Sequence, residues 1–194
     1  MKSKQGKRLL FAASVVLLAA QAHATIMLQM NLGEITERAD RIFRGSVLSV
    51  EPGSIEVGGG ELSMVTYKFK VTELFKGTPT QVKGDQAIME IRMVGSLVSP
   101  KADENGIQRM SMFRDVPRLQ QGAEYLMFTT AESAAGLSVS VGLGQGAFKV
   151  APVDGADGEF TAVNEFDNAG LGLSATGPVS YTVISDEIRS LLGQ

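Results

Sequence analysis

The sequence predicts a mainly β fold, a small antiparallel and partly open β-barrel of OB-like shape, with a short N-terminal helix and a C-terminal amphipathic helix. A two-sheet sandwich is the alternative. Three observations predict this class. Strand-like segments follow one another without an intervening helical stretch, which implies antiparallel pairing. Apolar and polar residues alternate within them, most clearly where Val65, Tyr67, Phe69 and Val71 interleave with Thr66, Lys68, Lys70 and Thr72. Glycine recurs within or beside strands, as at Gly45, Gly144 and Gly146, where a small barrel must bend.

Taken in order, the first element is a helix. Asn31 lies three residues before Glu34, the spacing of a capping box, and Leu32, Ile35 and Ala39 then share one helical face, with an end near Asp40. Residues 41–51 turn to Ile42, Phe43, Val47, Leu48 and Val50, a strand composition in which Gly45 marks a bulge or bend. Pro52, Gly53 and Gly58 to Gly60 predict a long flexible connection to the alternating strand that starts at Val65. After a loop around Pro79 and Gly84, residues 87–94 place Met89, Ile91 and Met93 on one side and Glu90 and Arg92 on the other. Pro100, Asp103, Asn105 and Gly106 make 99–106 an exposed loop, followed by a weaker strand over 107–113.

The C-terminal half adds strands at 125–129, at 137–143 by the alternation of Leu137, Val139, Val141 and Leu143, at 147–150, and at 160–163 as a final edge. The stretch 164–178 reads as loose chain. Ile184, Ile188, Leu191 and Leu192 recur at helical spacing, with Ser180 or Ser185 as cap and Gly193 as stop. Six or seven strands result, with helices only at the ends.

The first 24 residues carry an export signature. Lys2, Lys4, Lys7 and Arg8 precede an apolar run from Leu9 to Ala20, and Ala22-His23-Ala24 forms a small-x-small cleavage site, so the mature chain is expected to start at Thr25. Ala20-Gln21-Ala22 satisfies the same rule and is the alternative cut. The apolar run falls short of the roughly 20 residues that cross a bilayer as a helix. No stable membrane insertion is expected after processing, and the destination is secreted or periplasmic, with residues 25–194 as a single domain.

Processing removes only positive charge and leaves 14 Lys and Arg against 21 Asp and Glu, a net charge of about −7. That sign repels phosphate backbones, so nucleic acid is not an expected partner. The chain has no cysteine, and its one histidine is His23. Nucleophilic catalysis by a serine or cysteine paired with histidine is thereby excluded from the mature protein. No serine sits in a glycine elbow beside a lysine. Glu90, Asp103, Glu104 and Asp115 are the carboxylates a glycosidase would draw on, but no tryptophan is present to stack a sugar.

Asp154, Asp157 and Glu159 in one turn, and Asp103, Glu104 and Asn105 in another, offer oxygen ligands to calcium, although Asp and Gly are also ordinary turn residues. Met27, Met30, Met89, Met93, Met110 and Met112 offer thioethers to copper, although methionine is chiefly a core filler. No catalytic residue, resident metal or cofactor is assigned. The remaining candidate is a partner surface. Lys101, Arg109, Arg114 and Arg118 gather in an otherwise acidic chain with Met110, Met112 and Phe113 among them, and arginine with apolar neighbours is a common interface composition.

Residues 34–45, 65–77 with the ending Thr72-Glu73-Leu74-Phe75-Lys76-Gly77, 122–128 and 144–150 together resemble a set of secreted bacterial barrel-like domains, similar in outline to the netrin-like inhibitors of metalloproteases. The resemblance spans most of the mature chain and implies an exported β fold. Netrin-like inhibitors present a disulfide-tied N-terminal cysteine to the protease metal, and this chain has none, so no functional residue carries over. The expectation is an exported, non-enzymatic module that binds a protein partner, an exported protease being the first class to consider. A small-ligand or metal-ion carrier comes second and a carboxylate hydrolase third.

Overall fold

The structure, a computed structural model, describes residues 28–97, 116–173 and 176–194. Its elements are α1 (Leu32–Arg38), β1 (Arg41–Val57), β2 (Gly60–Lys76), β3 (Gln81–Lys83), β4 (Gln86–Val94), β5 (Glu124–Thr129), a 3-10 turn (Leu143–Gly146), β6 (Ala147–Pro152), β7 (Phe160–Val163), β8 (Val179–Ser180) and α2 (Tyr181–Leu192). All eight strands join one antiparallel sheet in the order β3-β4-β2-β1-β5-β6-β7-β8. The sheet does not close, and its edges are the short strands β3 and β8. This is the mainly β, partly open architecture that the alternation predicts, with one helix at each end.

Because side chains alternate across a strand, both faces of the central strands are buried and two cores form. On one face Ile42, Leu126, Phe128, Phe148 and Val150 pack against Leu32 and Ile35 of α1 and Ile184 and Ile188 of α2. On the other, Phe43, Val47, Tyr67, Phe69, Met89, Ile91, Met93 and Met127 form a second core over which Leu119 closes. Phe43 and Phe69 meet edge to face there, with centroids 5.1 Å apart.

The curl that encloses the second core originates in β1, whose register against β2 shifts between Ile42 and Phe43, Arg44 and Gly45, and Val47 and Ser49. Gly45 is obligatory at this bend, since a Cβ there would lie 2.7 Å from the Lys70 carbonyl oxygen.

Both terminal helices start and stop as their sequences dictate, with one exception. Asn31 accepts from the Glu34 amide at 2.9 Å while the Glu34 carboxylate accepts from the Asn31 amide at 2.9 Å, a complete capping box. Gly193 closes α2 with φ of 71°. Ser180 occupies the N-cap of α2 without a side-chain cap bond, and Ser185 lies inside the helix, donating to the Thr182 carbonyl.

Four expectations are corrected. The long flexible connection after Glu51 is instead ladder: β1 and β2 stay paired to Val57 and Gly60, and the turn is only Gly58-Gly59, both at positive φ (61° and 78°). Two successive positive φ values suit the twist of a hairpin, and glycine adopts them without cost. Residues 137–143 make no strand beyond one bridge from Ser140 to Thr129. Here Ser138, Ser140 and Val141 turn inward, while Leu137, Val139 and Leu143 are only half-buried. Ser138 and Ser140 are buried because their hydroxyls donate to the carbonyls of Thr130 and Leu143.

Residues 160–163 are not the final edge, since β8 pairs beyond them. The chain after Asn164 is tied rather than loose. The Asn164 amide donates to Asn168 Oδ1 at 3.0 Å, the Asn168 amide donates to Asn164 Oδ1 at 2.9 Å, and Asn168 Nδ2 donates to the carbonyls of Ala162 and Gly177 at 3.0 and 2.7 Å. The strand expected over 107–113 lies outside the described residues.

Candidate interaction cleft at Arg118

The segment 116–123 returns the chain to β5. Pro117 and Leu119 turn inward while Arg118 and Gln120 are exposed, a period of two that seats the segment on the second core. Its end is pinned. The Gln120 amide donates to the Tyr125 hydroxyl at 3.1 Å, Val47 donates to the Ala123 carbonyl at 2.9 Å, and Gly122, at φ of 82°, donates back to Val47 at 2.9 Å.

Between this segment and the sheet lies a cleft of about 280 Å³, lined by Arg118, Gln120, Tyr125, Lys149, Asn164 and Glu165 among others. Lys149 of β6 pairs with Tyr125 of β5 and Val163 of β7, and by alternation with Phe148 and Val150 stands on the face opposite the two described helices. Among the described residues neither Arg118 nor Lys149 is in an ion pair. The arrangement offers two cations and the Glu165 carboxylate over a partly apolar floor, a composition that can form charge-assisted hydrogen bonds with a carboxylate-bearing segment.

Of the surface expected from sequence, Arg118 is the member that the described residues include. Lys101, Arg109, Met110, Met112 and Arg114 lie outside them, as do Ala22, Ala24 and Thr25 of the cleavage site. Among the other candidates, Glu90 is paired with Arg92 at 2.9 Å on β4, while Asp103, Glu104, Asn105 and Asp115 fall outside. Asp154, Asp157 and Glu159 sit exposed in the β6–β7 turn, and among the described residues no three of His, Cys, Asp and Glu converge as metal ligands. Met30 is buried in the first core and Met89 and Met93 in the second, so the fold separates them; Met27 lies outside.

Two polar assemblies escaped sequence reasoning. Arg44, reaching out of β1, donates from Nε and Nη2 to the two Glu124 oxygens at 2.9 and 2.8 Å, and its guanidinium lies 4.1 Å from the Phe160 ring centroid and 4.3 Å from that of Tyr181. Burial works against its charge, but the Glu124 hydrogen bonds and charge outweigh it, so its pKa lies above the ordinary arginine value. Next to it the Tyr181 hydroxyl donates to Glu73 at 2.5 Å, and Arg189 pairs with the same carboxylate. This cluster fastens α2 to β1, β2 and β5. The second assembly is Gln145, whose Oε1 accepts from the Met30 amide at 2.8 Å and whose Nε2 donates to the Leu28 carbonyl at 3.0 Å. Its amide is spent on the chain, and the 360 Å³ hollow beside it is lined by Gln29, Phe166, Asp167 and Ala169.

The tyrosines supply a pH test of the clasp. Burial raises the Tyr181 phenol far above its usual range, reinforced by the Glu73 carboxylate, and burial likewise raises Tyr67. Both stay protonated in the folded chain when the unfolded chain starts to lose protons near pH ~10. Their contribution is therefore complete below that pH and is lost as pH rises above it. Alkaline titration should show their phenolate absorbance emerging together with loss of the native circular dichroism signal. Ionisation of both in a fully folded protein at the ordinary tyrosine pH would contradict the burial argument.

No protein-family model matches this chain, and no curated protein matches it.

Proposed function

We propose that this chain is an exported, non-enzymatic binding module that recognises a protein partner through the Arg118–Lys149 cleft. The observation that carries the reading is that two cations, neither in an ion pair among the described residues, line one partly apolar cleft together with Glu165, on the sheet face away from the two described helices. In a chain of net negative charge such a spot attracts acidic groups locally while the rest of the surface repels them, which favours selectivity over bulk adhesion. The basic, methionine-containing segment between Lys101 and Arg114 leads directly into Arg118, so a partner surface extending along it is consistent with the composition. Export supplies the compartment, and an exported protease is the first partner class to test.

The experiment is a titration of the mature chain, starting at Thr25, against an exported metalloprotease, read by both calorimetry and residual proteolysis. A complex at micromolar concentration or tighter is expected, weakened roughly tenfold in the Arg118→Glu, Lys149→Glu double variant, the scale of losing two rim charges. No complex at micromolar concentration, or one indifferent to that variant, would sink the reading.

A further inference from the structure

Pairing of β1 with β5 ends at Ser46 and Glu124, and pairing of β2 with β4 ends at Met64 and Val94, yet β1 and β2 remain paired to each other as far as Val57 and Gly60. Residues 51–63 thus form a two-stranded arm that, among the described residues, no other strand flanks. A two-stranded ribbon is marginal by itself. This one contributes to neither core, with Ile55 and Leu62 half-buried and Val57 47% exposed.

The register sorts its side chains. Gly53, Ile55 and Val57 oppose Met64, Leu62 and Gly60 on one face, and Pro52, Ser54 and Glu56 oppose Val65, Ser63 and Glu61 on the other. One face is apolar and the other acidic. Glu56 stands directly across from Glu61, a position where like charges repel, and neither has a hydrogen bond or ion pair among the described residues. No Lys or Arg occurs between Gly45 and Tyr67 to relieve them. Glu51 is already occupied: the Ser49 hydroxyl and the Lys68 ammonium hold its carboxyl below the ordinary range.

The arm does not invite another strand. Gly95 donates to the Ser63 carbonyl, so Ser63 turns its backbone outward, and by alternation Ser54, Pro52 and Glu56 turn theirs to the outer edge of β1. Pro52 has no N–H to give there, which blunts the edge. Whatever the arm touches, it touches with side chains.

We propose that the arm of one copy docks by its acidic face in the Arg118–Lys149 cleft of a second copy, and reciprocally, as a twofold dimer in which Glu56 and Glu61 meet Arg118 and Lys149. The proposal rests on the cleft being a partner surface, as argued above. It satisfies an anion pair and a cation pair that the described fold leaves without ion-pair partners. One arm is small beside the roughly 1,600 Å² of a standard interface, and exchanging both arms doubles the contact and closes the assembly rather than propagating it.

Sedimentation velocity of the mature chain across micromolar concentrations tests this. The expected result is a concentration-dependent dimer that salt weakens. Glu56→Lys with Glu61→Lys should weaken it at least roughly tenfold, and Arg118→Glu with Lys149→Glu equally, with unchanged circular dichroism because all four residues are exposed. Mixing the two double variants should restore a heterodimer, since each then offers the other an opposite charge at both contacts. A wild-type monomer throughout, a dimer that ignores the arm reversal, or a mixture that stays monomeric would each overturn the proposal. The arm variant also separates the two readings. It should lose self-association yet keep metalloprotease binding; loss of that binding while the wild type is monomeric would assign the arm to the foreign partner and overturn the second copy as its occupant.

Discussion

Replacing Arg44 by methionine will cost about 3 kcal/mol of stability, the scale at which breaking a largely buried ion pair acts. The side chains of Arg44 and Glu124 are only 12% and 20% exposed, so water does little to screen them. Methionine can fill much of the slot between Phe160 and Tyr181, but it leaves the Glu124 carboxylate with Thr72 Oγ1, at 3.1 Å, as its remaining hydrogen-bond donor in the cluster. The loss also removes two cation–ring contacts, each of which contributes about 0.5–1 kcal/mol where water is partly excluded. Chemical denaturation should show the midpoint falling at constant slope. Adding Glu124→Leu to the same chain should recover a good part of the deficit, because the stranded charge is then gone. A single variant that loses less than about 1 kcal/mol would mean that the clasp is solvated in the folded state.

Asn168→Ala should be nearly as damaging, also about 3 kcal/mol, for a different reason. Asn168 is 2% exposed and its amide group satisfies the Asn164 amide hydrogen and the carbonyls of Ala162 and Gly177. Alanine abandons three backbone groups, of which the first two are buried, and must also adopt a positive φ of 57°, which asparagine tolerates better. Asn168→Asp is the discriminating companion. It retains the acceptor for the Asn164 amide but sets a charged oxygen against two carbonyls, so it should be no better than alanine. Protection of the amides around Asn164 from hydrogen exchange should fall in both variants. A wild-type melting curve for either would show that residues 164–173 are held by their apolar contacts instead.

The elements that were legible in the sequence are those where one local rule decides. Asn31 and Glu34 cap α1 because three residues bring an acceptor to an orphan amide, and no other part of the chain is needed. Val65, Tyr67 and Phe69 are buried as their period requires. Arg118 stood out by composition as a candidate, but Lys149 did not, since a lysine in an alternating strand looks like any solvent-facing position until β5, β6 and the 116–123 segment bring it into the same cleft. The misread elements share one cause. Glycine and serine in 52–60 and 137–143 are ambiguous locally, and long-range partners settled them: β2 extended the ladder to Val57, while backbone carbonyls drew Ser138 and Ser140 inward.

By itself the sequence determined the β class, the terminal helices, the absence of cysteine and the single histidine, His23, because alternation, caps and composition act within a few residues or through none at all. Only the tertiary structure decided that Arg44 reaches Glu124 across 80 positions, that Glu56 faces Glu61 on an arm that no other described strand flanks, and that Arg118 and Lys149 line one cleft. Charges far apart in the chain meet only after the sheet has chosen its register, and a one-residue slip in β1 would send Arg44 and Glu56 to the opposite face.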